Sequence, residues 1–569
     1  MDAAPRSSES LLSIENLTVE FASLHGAITA VDNVTLSLDV GRRLAIVGES
    51  GSGKSTMASA IHRLLPTNAT VRGSIQVGGE DVMAMSSSRI IRLRGREVGY
   101  VPQDPLSNLN PVQRVGAQLM RTIQIGNTKL SRTELRAQAI EALDRVGIAQ
   151  PARRFSQYPH EFSGGMRQRA LIAMGMACRP RLLIADEPTS ALDVTVQRRV
   201  LDLIDDLTRE LGTALLFITH DLGLAAERAD DVVVMKRGQV VERGTAQSVL
   251  VAPKNQYTID LLTAAPNLAS VRLVTETPVK RSSTPLLEVQ GVTKVFGRHV
   301  FKSNSSGIVA VDNASLTVSP GETVAIVGES GSGKSTVIRM ILGLERPTSG
   351  RVLFEGRALG DLDRAGRFGY RAQVQPVFQN PYASLDPRFT VGQSIREPLN
   401  VHRRGRPDER NKRVLKLLEQ VALPGDLVSR FPHELSGGQR QRVAIARALA
   451  LEPKVIVLDE AVSALDVLVQ AQILHLLVDL QKQHGLAYVF VSHDLAVVRQ
   501  ISHIVHVVNS GKVVETGPPR QLFEAPQDPY TAALIEAIPG RSLAIGIQEG
   551  VLATVSSGGN LDDVGHTAV

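Results

Sequence analysis

The chain carries the same succession of apolar and polar patterns twice. LAIVG (44–48) and VAIVG (324–328) are uninterrupted apolar runs of the kind that form buried strands. After a short loop, MASAIHRLL (57–65) and VIRMILGL (337–344) place apolar residues at helical spacing. Further upstream, LLSIENLTVEF (11–21) and LLEVQGVTKVF (286–296) alternate in strand fashion. The recurrence of the whole pattern predicts two homologous α/β domains in tandem.

Each apolar run leads into the same loop, GESGSGKST, at residues 48–56 and 328–336. Both copies fit G-x-x-x-x-G-K-[ST], the phosphate-binding loop. The glycines let backbone N–H groups and the start of the next helix face a phosphate chain. Lys54 and Lys334 are then expected to contact the β- and γ-phosphates, and the hydroxyls of Ser55 and Ser335 to ligate Mg²⁺. One match could be a Gly-rich turn, but two identical copies in strand–loop–helix contexts make that alternative negligible.

The composition limits the class of protein. The hydrophobic fraction of 43% and charged fraction of 21% in 569 residues are ordinary for a globular protein. The net charge of +6 is spread along the chain, which favours a solvated surface over a nucleic-acid or lipid-binding face. A single cysteine, Cys178, excludes a disulfide framework and a Cys-only metal cluster within the chain, and its apolar surroundings predict a core position.

The chain shows no targeting or membrane-spanning pattern. No apolar run approaches the roughly 18 residues needed to cross a bilayer. The first residues, MDAAPRSSES, lack the basic-then-apolar order of a signal peptide. We therefore expect a cytoplasmic protein, or one held on a membrane by partners.

Two apolar strands end in paired acids: LLIADE (182–187) and VIVLDE (455–460). A buried strand beside a phosphate loop commonly ends in the aspartate that organises Mg²⁺, here Asp186 and Asp459. The adjacent Glu187 and Glu460 are placed to polarise a water molecule. Such an ending alone is more often a strand cap, but its position beside the phosphate loop favours the catalytic interpretation.

Upstream of the acidic pairs, FSGGMRQR (162–169) and LSGGQRQR (435–442) each open a long helical pattern. Two glycines at a helix N-terminus form a second anion-binding device, with the hydroxyls of Ser163 and Ser436 available. The alternative is a serine N-cap with a glycine turn. Recurrence of the motif at the same place in both halves favours the phosphate-binding role.

Together with SALD (190–193 and 463–466) and a later histidine in ITHD and VSHD, these motifs resemble the nucleotide-binding domain of ATP-binding-cassette (ABC) proteins. The resemblance covers about residues 11–266 and 286–539. It implies an α/β fold class of tandem duplicated P-loop NTPase domains. Each would have a RecA-like α/β core, an antiparallel β subdomain and a helical subdomain. Residues 1–10 and 540–569 are expected to be disordered, and the polar, Pro-containing stretch 267–285 is expected to be a linker.

The resemblance implies two ATP molecules, with Mg²⁺, sandwiched head to tail between the halves. Each site would combine the phosphate loop, acidic pair and histidine of one half with the SGG motif of the other. Residues implied to be catalytic are Glu187, Glu460, His220, His493, Gln103 and Gln379. Residues implied to ligate Mg²⁺ are Ser55, Gln103, Asp186, Ser335, Gln379 and Asp459.

The residues implied to bind ATP fall into two matched sets. In the first half they are Phe21, Gly48, Ser50, Gly51, Gly53, Lys54, Ser55, Thr56, Ser163, Gly164, Gly165 and Asp193. In the second half they are Phe296, Gly328, Ser330, Gly331, Gly333, Lys334, Ser335, Thr336, Ser436, Gly437, Gly438, Gln439 and Asp466. Stacking of the two phenylalanines on adenine, and the glutamine-loop role of Gln103 and Gln379, rest on position alone. Met166 replaces the usual glutamine of the motif, and AVSALD replaces PTSALD after Glu460, which permits mild asymmetry between two competent sites.

Two further stretches in each half indicate the kind of cassette protein. QDPLSNLNPVQRVGAQL (103–119) and QNPYASLDPRFTVGQSI (379–395) resemble the ATPases of bacterial oligopeptide, dipeptide and nickel importers. APKNQYTIDLLTAAP (252–266) and APQDPYTAALIEAIP (525–539) resemble that family's C-terminal extension; the alternative is an ordinary docking helix after a proline turn. Some relatives carry an iron–sulfur cysteine cluster in this extension, and its absence here predicts no such cluster.

The resemblance implies an ATPase subunit at the cytoplasmic face of the plasma membrane. Its partners would be two transmembrane permease subunits and, through them, an external solute-binding protein, with no nucleic acid. Peptides are the favoured cargo, with nickel, glutathione and other small solutes left open. The main alternative is an ABC-F translation factor acting on ribosomes, but these usually have a long, highly charged helical linker, unlike 267–285. A third interpretation is a DNA-repair cassette ATPase, but it would require inserted zinc-binding cysteines, which a single cysteine cannot provide.

Overall fold

The computed structural model describes residues 10–23, 26–189, 192–266, 272–274, 285–297, 307–380, 384–463 and 465–538. Residues 1–9 of the expected disordered lead-in 1–10, the expected disordered tail 540–569, Ser190 and most of the expected linker lie outside the described residues, whereas Ser10 is the first residue of a strand. The described residues form two compact units, one within residues 1–192 and 196–265 and the other within residues 193–195 and 266–538.

The first unit contains two sheets. The strands are β1 (Ser10–Ser23), β2 (Gly26–Asp39), β3 (Arg43–Val47), β4 (Ala69–Val77), β5 (Glu80–Asp81), β6 (Val98–Val101), β7 (Leu182–Asp186), β8 (Ala214–Thr219), β9 (Asp231–Lys236) and β10 (Gln239–Thr245). The four-stranded antiparallel sheet has the order β2-β1-β4-β5, and the six-stranded sheet has the order β10-β9-β3-β8-β7-β6.

Helices cover the larger sheet and build a helical region between β6 and β7. They are α1 (Lys54–Ile61), α2 (Ser87–Arg92), α3 (Pro105–Asn108), α4 (Val115–Gly126), α5 (Arg132–Arg145), α6 (Pro151–Arg154), α7 (Gly164–Met176), α8 (Val194–Leu211), α9 (Leu222–Arg228), α10 (Ala246–Val251) and α11 (Gln256–Ala264). A π-helical turn covers Leu93–Glu97 and a 3₁₀ turn covers Pro159–Glu161.

The second unit repeats this architecture. Its strands are β11 (Leu287–Phe296), β12 (Ile308–Val318), β13 (Thr323–Val327), β14 (Ser349–Phe354), β15 (Arg357–Ala358), β16 (Val374–Val377), β17 (Val455–Asp459), β18 (Ala487–Val491), β19 (Ile504–Asn509) and β20 (Lys512–Gly517). The sheet orders are β12-β11-β14-β15 and β16-β17-β18-β13-β19-β20. Its helices are α12 (Lys334–Ile341), α13 (Arg364–Gln373), α14 (Val391–Val401), α15 (Pro407–Gln420), α16 (Gly437–Leu449), α17 (Val467–His484), α18 (Leu495–Ile501), α19 (Pro519–Glu524) and α20 (Pro529–Glu536). Short 3₁₀ turns cover Leu359–Asp361, Gly425–Ser429 and Pro432–Glu434.

The apolar runs form strands because both faces of the larger sheets are buried. In β17, Val457 packs into the cluster shared with the antiparallel sheet, whereas Ile456 and Leu458 pack into the cluster on the opposite side. Strands covered on both faces read as continuous apolar runs rather than as alternating ones. No helix of the described residues is both long and apolar enough to cross a bilayer.

Three described residues of the expected linker pack onto the second unit. The Leu273 N–H donates to the Gln500 carbonyl at 2.9 Å, and the Arg272 guanidinium donates to the Ser502 carbonyl at 2.7 Å. Val274 is buried in the core of that unit. This part of the stretch is therefore anchored to the second unit, because the Leu273 and Val274 side chains pack into its hydrophobic core.

Cys178 differs from its expected core position. It is only partly buried, because α7 ends at Met176 and the cysteine lies in the turn that leads to β7. Its thiol lies 3.7 Å from the carbonyl oxygen of Thr122, and partial burial raises its pKa.

Candidate active sites

The parallel strands of each larger sheet bring the sequence motifs to one edge. In the first unit, the phosphate loop follows β3, Asp186 ends β7, His220 follows β8 and Gln103 follows β6. The second unit places its loop, Asp459, His493 and Gln379 after β13, β17, β18 and β16 in the same way. Because the carboxyl ends of parallel strands share an edge, each unit collects one complete set of these groups there.

The phosphate loops adopt a conformation that requires glycine at their last position before the helix. Gly53 has φ 98° and Gly333 has φ 107°, in the left-handed region. A Cβ atom on Gly53 would lie 2.3 Å from the carbonyl oxygen of Ala30, and one on Gly333 would lie 2.4 Å from that of Ala310. The loop therefore lies directly against β2 or β12. Gly48, Ser50, Gly51, Gly328, Ser330 and Gly331 lie in the loops, and Ser55, Thr56, Ser335 and Thr336 lie in the first turns of α1 and α12.

Both loop lysines fold back over their own loop. The Lys54 Nζ donates to the carbonyls of Gly48 at 2.7 Å and Glu49 at 2.8 Å. The Lys334 Nζ makes the same contacts with Gly328 and Glu329, at the same two distances. Burial lowers the pKa of Lys334, although the charges of Glu460 and Asp459 oppose that shift. The two ammonium groups are thus fixed at equivalent places beside the loop.

The aspartate that ends β7 is surrounded by hydroxyl groups. The Ser55 Oγ donates to Asp186 Oδ1 at 3.1 Å, and the Tyr100 hydroxyl donates to Oδ2 at 3.4 Å. Burial raises the pKa of Asp186, while these hydrogen bonds act in the opposite direction. Burial likewise raises the pKa of Asp459, but Pro376 occupies the position in β16 that corresponds to Tyr100 in β6.

The glutamate after each aspartate is held by the glutamine and histidine that the sequence singles out. The Gln103 Nε2 donates to Glu187 Oε2 at 2.7 Å, and His220 Nδ1 lies 3.4 Å from the same oxygen. In the second unit, Gln379 Nε2 donates to Glu460 Oε2 at 2.7 Å, and His493 Nδ1 lies at 3.3 Å.

The backbone of these glutamates is unusual in both units. Glu187 has φ 44° and Glu460 has φ 48°, a region that non-glycine residues rarely adopt. Their backbone N–H groups donate to the carbonyl oxygens of Ile218 and Val491, which lie on the neighbouring strands β8 and β18, at 2.9 Å in both units. Strain of this kind persists where the surroundings over-determine it, and it clusters at functional sites.

Each glutamate and its neighbouring histidine shift each other's pKa in the direction that favours an ion pair. Burial raises the pKa of Glu187, but the hydrogen bond and charge of His220 outweigh burial, and the net pKa lies below its usual value. Burial lowers the pKa of His220, but the hydrogen bond and charge of Glu187 outweigh it, and the net pKa is raised. Glu460 and His493 shift in the same directions for the same causes.

The SGG motifs begin α7 and α16. Ser163 and Ser436 are N-caps, each accepting from the N–H of the third helical residue at 3.3 Å. Gln439 also accepts from the Ser436 N–H at 3.0 Å, which completes a capping box in the second unit. A Cβ on Gly165 or Gly438 would lie 2.8 or 2.4 Å from a methyl group of Val196 or Val469. The second glycine therefore permits close packing of the motif helix, and Gly164 and Gly437 are the first helical residues.

The remaining predicted residues lie in varied surroundings. Asp466 caps α17 by accepting from the Val469 N–H at 3.0 Å, and Asp193 accepts from the Thr195 hydroxyl at 3.0 Å. Phe21 packs against the core of the first unit. Phe296 is 39% exposed, with the Lys294 Nζ 5.1 Å from its ring centroid. The structure thus leaves the adenine-stacking role of both rings a prediction.

Three tyrosines reach the sites without having been singled out in the sequence. Tyr100 contacts Asp186, as described above, and the hydroxyls of Tyr257 and Tyr530 contact the phosphate loops. For Tyr257 and Tyr530 the sequence did contain a signal, because QYT in the first C-terminal extension recurs as PYT in the second.

Comparisons with known proteins agree with this geometry. The family model described as ABC transporter matches residues 31–190 and 311–463, and the model described as oligopeptide/dipeptide transporter, C-terminal region, matches residues 514–545. The chain is 44% identical over 561 residues to the glutathione import ATP-binding protein GsiA of Salmonella choleraesuis, covering 94% of this chain and 90% of the relative. The protein of the same name from Escherichia coli strain K12 is 44% identical over 558 residues, covering 93% and 89%.

Solved structures of single cassettes also match. cbiO1 of Clostridium perfringens is 31% identical, with 47% of this chain and 99% of that chain covered and a TM-score of 0.39. The ATP-binding cassette MJ0796 bound to ADP and Pi is 27% identical, covering 41% and 98%, with a TM-score of 0.38.

The family resemblance expected from the motifs is confirmed, and these relatives are import proteins rather than translation factors. The chain belongs to the ABC transporter family, as the ATPase subunit of a bacterial importer of the oligopeptide/dipeptide group with two ATP-binding cassettes in one chain.

Proposed function

We propose that this subunit drives import of a small peptide-type solute, and that glutathione, itself a tripeptide, is the first candidate cargo. Two observations support the proposal. The C-terminal region of the second cassette matches the oligopeptide/dipeptide model, and the curated relatives that span almost the whole chain are named for glutathione import.

The chemistry follows from the groups collected at each sheet edge. Phosphoryl transfer to water passes through a loose transition state, so the protein contributes positioning and charge stabilisation. Lys54 supplies a fixed positive charge to the phosphate chain. Glu187 has a depressed pKa and is ionised, which suits it to orient and polarise the attacking water. Gln103 and His220 hold one oxygen of that carboxylate, which leaves the other oxygen for the water. Lys334, Glu460, Gln379 and His493 are proposed to act in the same way in the second cassette.

The residues also fit Mg²⁺, which prefers oxygen ligands. The Ser55 Oγ lies 3.1 Å from Asp186 Oδ1, so the two oxygens are close enough to serve one ion together with phosphate oxygens. Ser55, Asp186 and Gln103 would hold Mg²⁺ in the first cassette, and Ser335, Asp459 and Gln379 in the second. When bound, the ion neutralises charge that develops on the phosphates.

We further propose that the two cassettes close on each other as an intramolecular sandwich around two ATP molecules. Each unit carries one phosphate loop and one SGG helix start, and one nucleotide needs both kinds. Binding of ATP would favour the closed arrangement, and hydrolysis would release it, which is gating by differential affinity for two states.

The partners proposed are two transmembrane permease subunits, which would hold the chain at the cytoplasmic face of the membrane, and a solute-binding protein outside it. The experiment is to tag the full chain, extract it gently from its native cell and identify the proteins that accompany it. Two multi-spanning permeases are expected. Recovery with ribosomes and no membrane protein would contradict the importer role.

Cargo is tested with the solute-binding protein recovered with that complex. Labelled glutathione, a mixture of dipeptides and nickel are offered to it in parallel. Tight binding of glutathione or dipeptides supports a peptide-type cargo, and selective binding of nickel would overturn it.

A further inference from the structure

The C-terminal extension of each cassette contacts the phosphate loop of the same cassette through one tyrosine. The Glu49 N–H donates to the hydroxyl oxygen of Tyr257 at 3.2 Å, across 208 residues of chain. The Glu329 N–H donates to the hydroxyl oxygen of Tyr530 at 3.0 Å. Two independent occurrences of the contact in corresponding places indicate a built feature of the cassette.

The peptide group that receives this contact is the one that holds the loop lysine. The N–H of Glu49 and the carbonyl of Gly48 belong to a single planar peptide unit. The lysine donates to that carbonyl at 2.7 Å, and the tyrosine accepts from the N–H on the other side. In the second cassette the peptide between Gly328 and Glu329 is held in the same manner by Lys334 and Tyr530. Rotation of this peptide would therefore move the lysine's carbonyl partner.

The tyrosines are themselves firmly placed by the extension. Asn255 caps the helix by accepting from the Tyr257 N–H at 2.9 Å, and Glu242 accepts from the N–H groups of Lys254 and Asn255 at 2.7 and 3.1 Å. Tyr257 is only 4% exposed, and the Lys236 Nζ lies 4.4 Å from its ring centroid.

The second cassette repeats the arrangement with related residues. Asp528 accepts from the Tyr530 N–H at 2.8 Å, and Glu515 accepts from the N–H groups of Gln527 and Asp528 at 2.9 and 3.1 Å. The hydroxyl therefore reaches the loop from a helix start that three further hydrogen bonds fix.

We propose that Tyr257 and Tyr530 are positioning residues for ATP binding, which fix the peptide that orients the loop lysine in each cassette. The proposal gives the C-terminal extension a role at the nucleotide site and rests on the ATPase activity alone, not on the identity of the cargo. It differs from simple anchoring of the extension, because an anchor would affect the stability of the fold without affecting affinity for ATP.

The test compares full-length chains in which a tyrosine hydroxyl group is removed and the aromatic ring is kept. Tyr257→Phe/Tyr530→Phe keeps both rings and removes both hydroxyls. The matched control is Tyr488→Phe, because the buried Tyr488 hydroxyl donates to the Leu477 carbonyl at 2.8 Å and its strand position pairs with Thr323, at the end of β13 remote from the loop. Dissociation constants are measured with a fluorescent ATP analogue, and KM and kcat by phosphate release.

For the double variant, the proposal expects the Kd and KM for ATP to rise about three- to ten-fold, the range that one lost hydrogen bond gives, with kcat at saturating ATP nearly unchanged. The Tyr488→Phe control is expected to lower Tm slightly and to leave both constants at wild-type values. Wild-type Kd and KM in the double variant, or a fall in kcat alone, would overturn the positioning role.

Each single variant, Tyr257→Phe and Tyr530→Phe, is measured as well, so that the test does not depend on the folding of the double variant. A wild-type chain that fails to bind ATP would overturn the nucleotide sites themselves, whereas an unchanged Kd in the variants overturns only the assignment of the tyrosines.

Discussion

The two cassettes of this chain share the geometry of the glutamine, glutamate and histidine but differ around the aspartate that we propose to organise Mg²⁺. The glutamine-to-glutamate distance is 2.7 Å in both, and the histidine-to-glutamate distance is 3.4 Å in one and 3.3 Å in the other. Asp186, however, accepts from the Tyr100 hydroxyl and is 3% exposed, whereas the corresponding Asp459 has Pro376 at that place and is partly buried. The comparison teaches that duplication has kept the groups that we propose to act on ATP, while the residues that support them have diverged.

A second difference lies at the start of the SGG helices. Gln439 closes a capping box with Ser436, whereas Met166 at the same place in the first cassette cannot accept the N–H of Ser163 in this way. The helix starts are otherwise alike, since both serines cap the third helical residue at 3.3 Å. The substitution therefore changes the helix support and leaves the serine and both glycines in place.

Removal of the loop lysines should have the largest effect on ATP binding and tests whether the two sites bind ATP alike. Because Lys54 and Lys334 make the same two contacts, Lys54→Ala and Lys334→Ala should each weaken ATP binding at the altered site by roughly 10- to 100-fold, the range for a charged hydrogen bond. Titration with a fluorescent ATP analogue checks this. Lys512→Ala, which removes an exposed ion pair with Asp312, is the control and should bind normally. A strong effect of only one loop variant would break the equivalence.

Removal of the Tyr100 hydroxyl tests the difference at the aspartates. Hydrogen bonds from Tyr100 and Ser55 oppose the rise in the pKa of Asp186 that burial causes, so Tyr100→Phe should raise that pKa further. Protons would then compete better with Mg²⁺, and the Mg²⁺ concentration for half-maximal turnover should rise about two- to five-fold, more at about pH 6 than at about pH 8. An unchanged Mg²⁺ requirement at both pH values would remove Tyr100 from the account of asymmetry.

The histidines should titrate alike in the two cassettes. His220 and His493 have raised pKa values because their ion pairs with Glu187 and Glu460 outweigh burial. Between about pH 4.3 and about pH 6.5, the unfolded pKa values of glutamate and histidine, the pairs therefore contribute their full stabilisation to the nucleotide-free fold. That stabilisation is lost as pH rises through the higher folded pKa of the histidines, and as pH falls through the lower folded pKa of the glutamates.

NMR titration of the histidine ring protons measures these values directly. Glu187→Gln should lower the pKa of His220 and leave that of His493 in place. His62, whose burial lowers its pKa to about 4, is the internal control and should not respond. A His220 pKa that stays raised in Glu187→Gln would contradict the ion pair.

Restoration of the capping box in the first cassette gives the smallest effect. Met166→Gln places an acceptor where Gln439 stands in the second, and it should stabilise the fold by about 0.5–1 kcal/mol because it adds the hydrogen bond from the Ser163 N–H that completes a capping box. Gln439→Met should destabilise by a similar amount. Thermal unfolding checks both, and equal Tm values for all three chains would show that the difference between the helix starts is without energetic effect.

The sequence reveals most where structure is local. Lys54 follows a strand and opens a helix within one continuous motif, so the strand–loop–helix unit could be predicted from spacing alone. The paired acids of LLIADE could likewise be interpreted from the sequence. An apolar run that ends in two acids, in a chain that also has a phosphate loop, is typical of the strand that carries the Mg²⁺-organising aspartate. The family resemblance supplied the roles of Gln103 and His220, which no local pattern marks.

Contacts between distant residues could not be predicted in the same way. Tyr257 contacts Glu49, which is 208 residues away in the chain, and Tyr100 contacts Asp186, which is 86 residues away. A single tyrosine forms no periodic pattern from which such a partner could be predicted. Leu273 and Val274 were hidden in a polar stretch because two apolar residues form no periodic pattern, although a core was available to receive them. The strain at Glu187 and Glu460 also depends on neighbouring strands, which a residue sequence does not display.

The most direct test of the whole account is ATP turnover and ATP retention in Glu187→Gln/Glu460→Gln. The change keeps the shape of both side chains and removes the two carboxylates that are assigned to the attacking water. The account predicts that the double variant binds ATP, retains it in the closed state, and hydrolyses it on the order of 10²- to 10³-fold more slowly than the wild-type chain. Turnover close to that of the wild type would contradict the assignment of both sites.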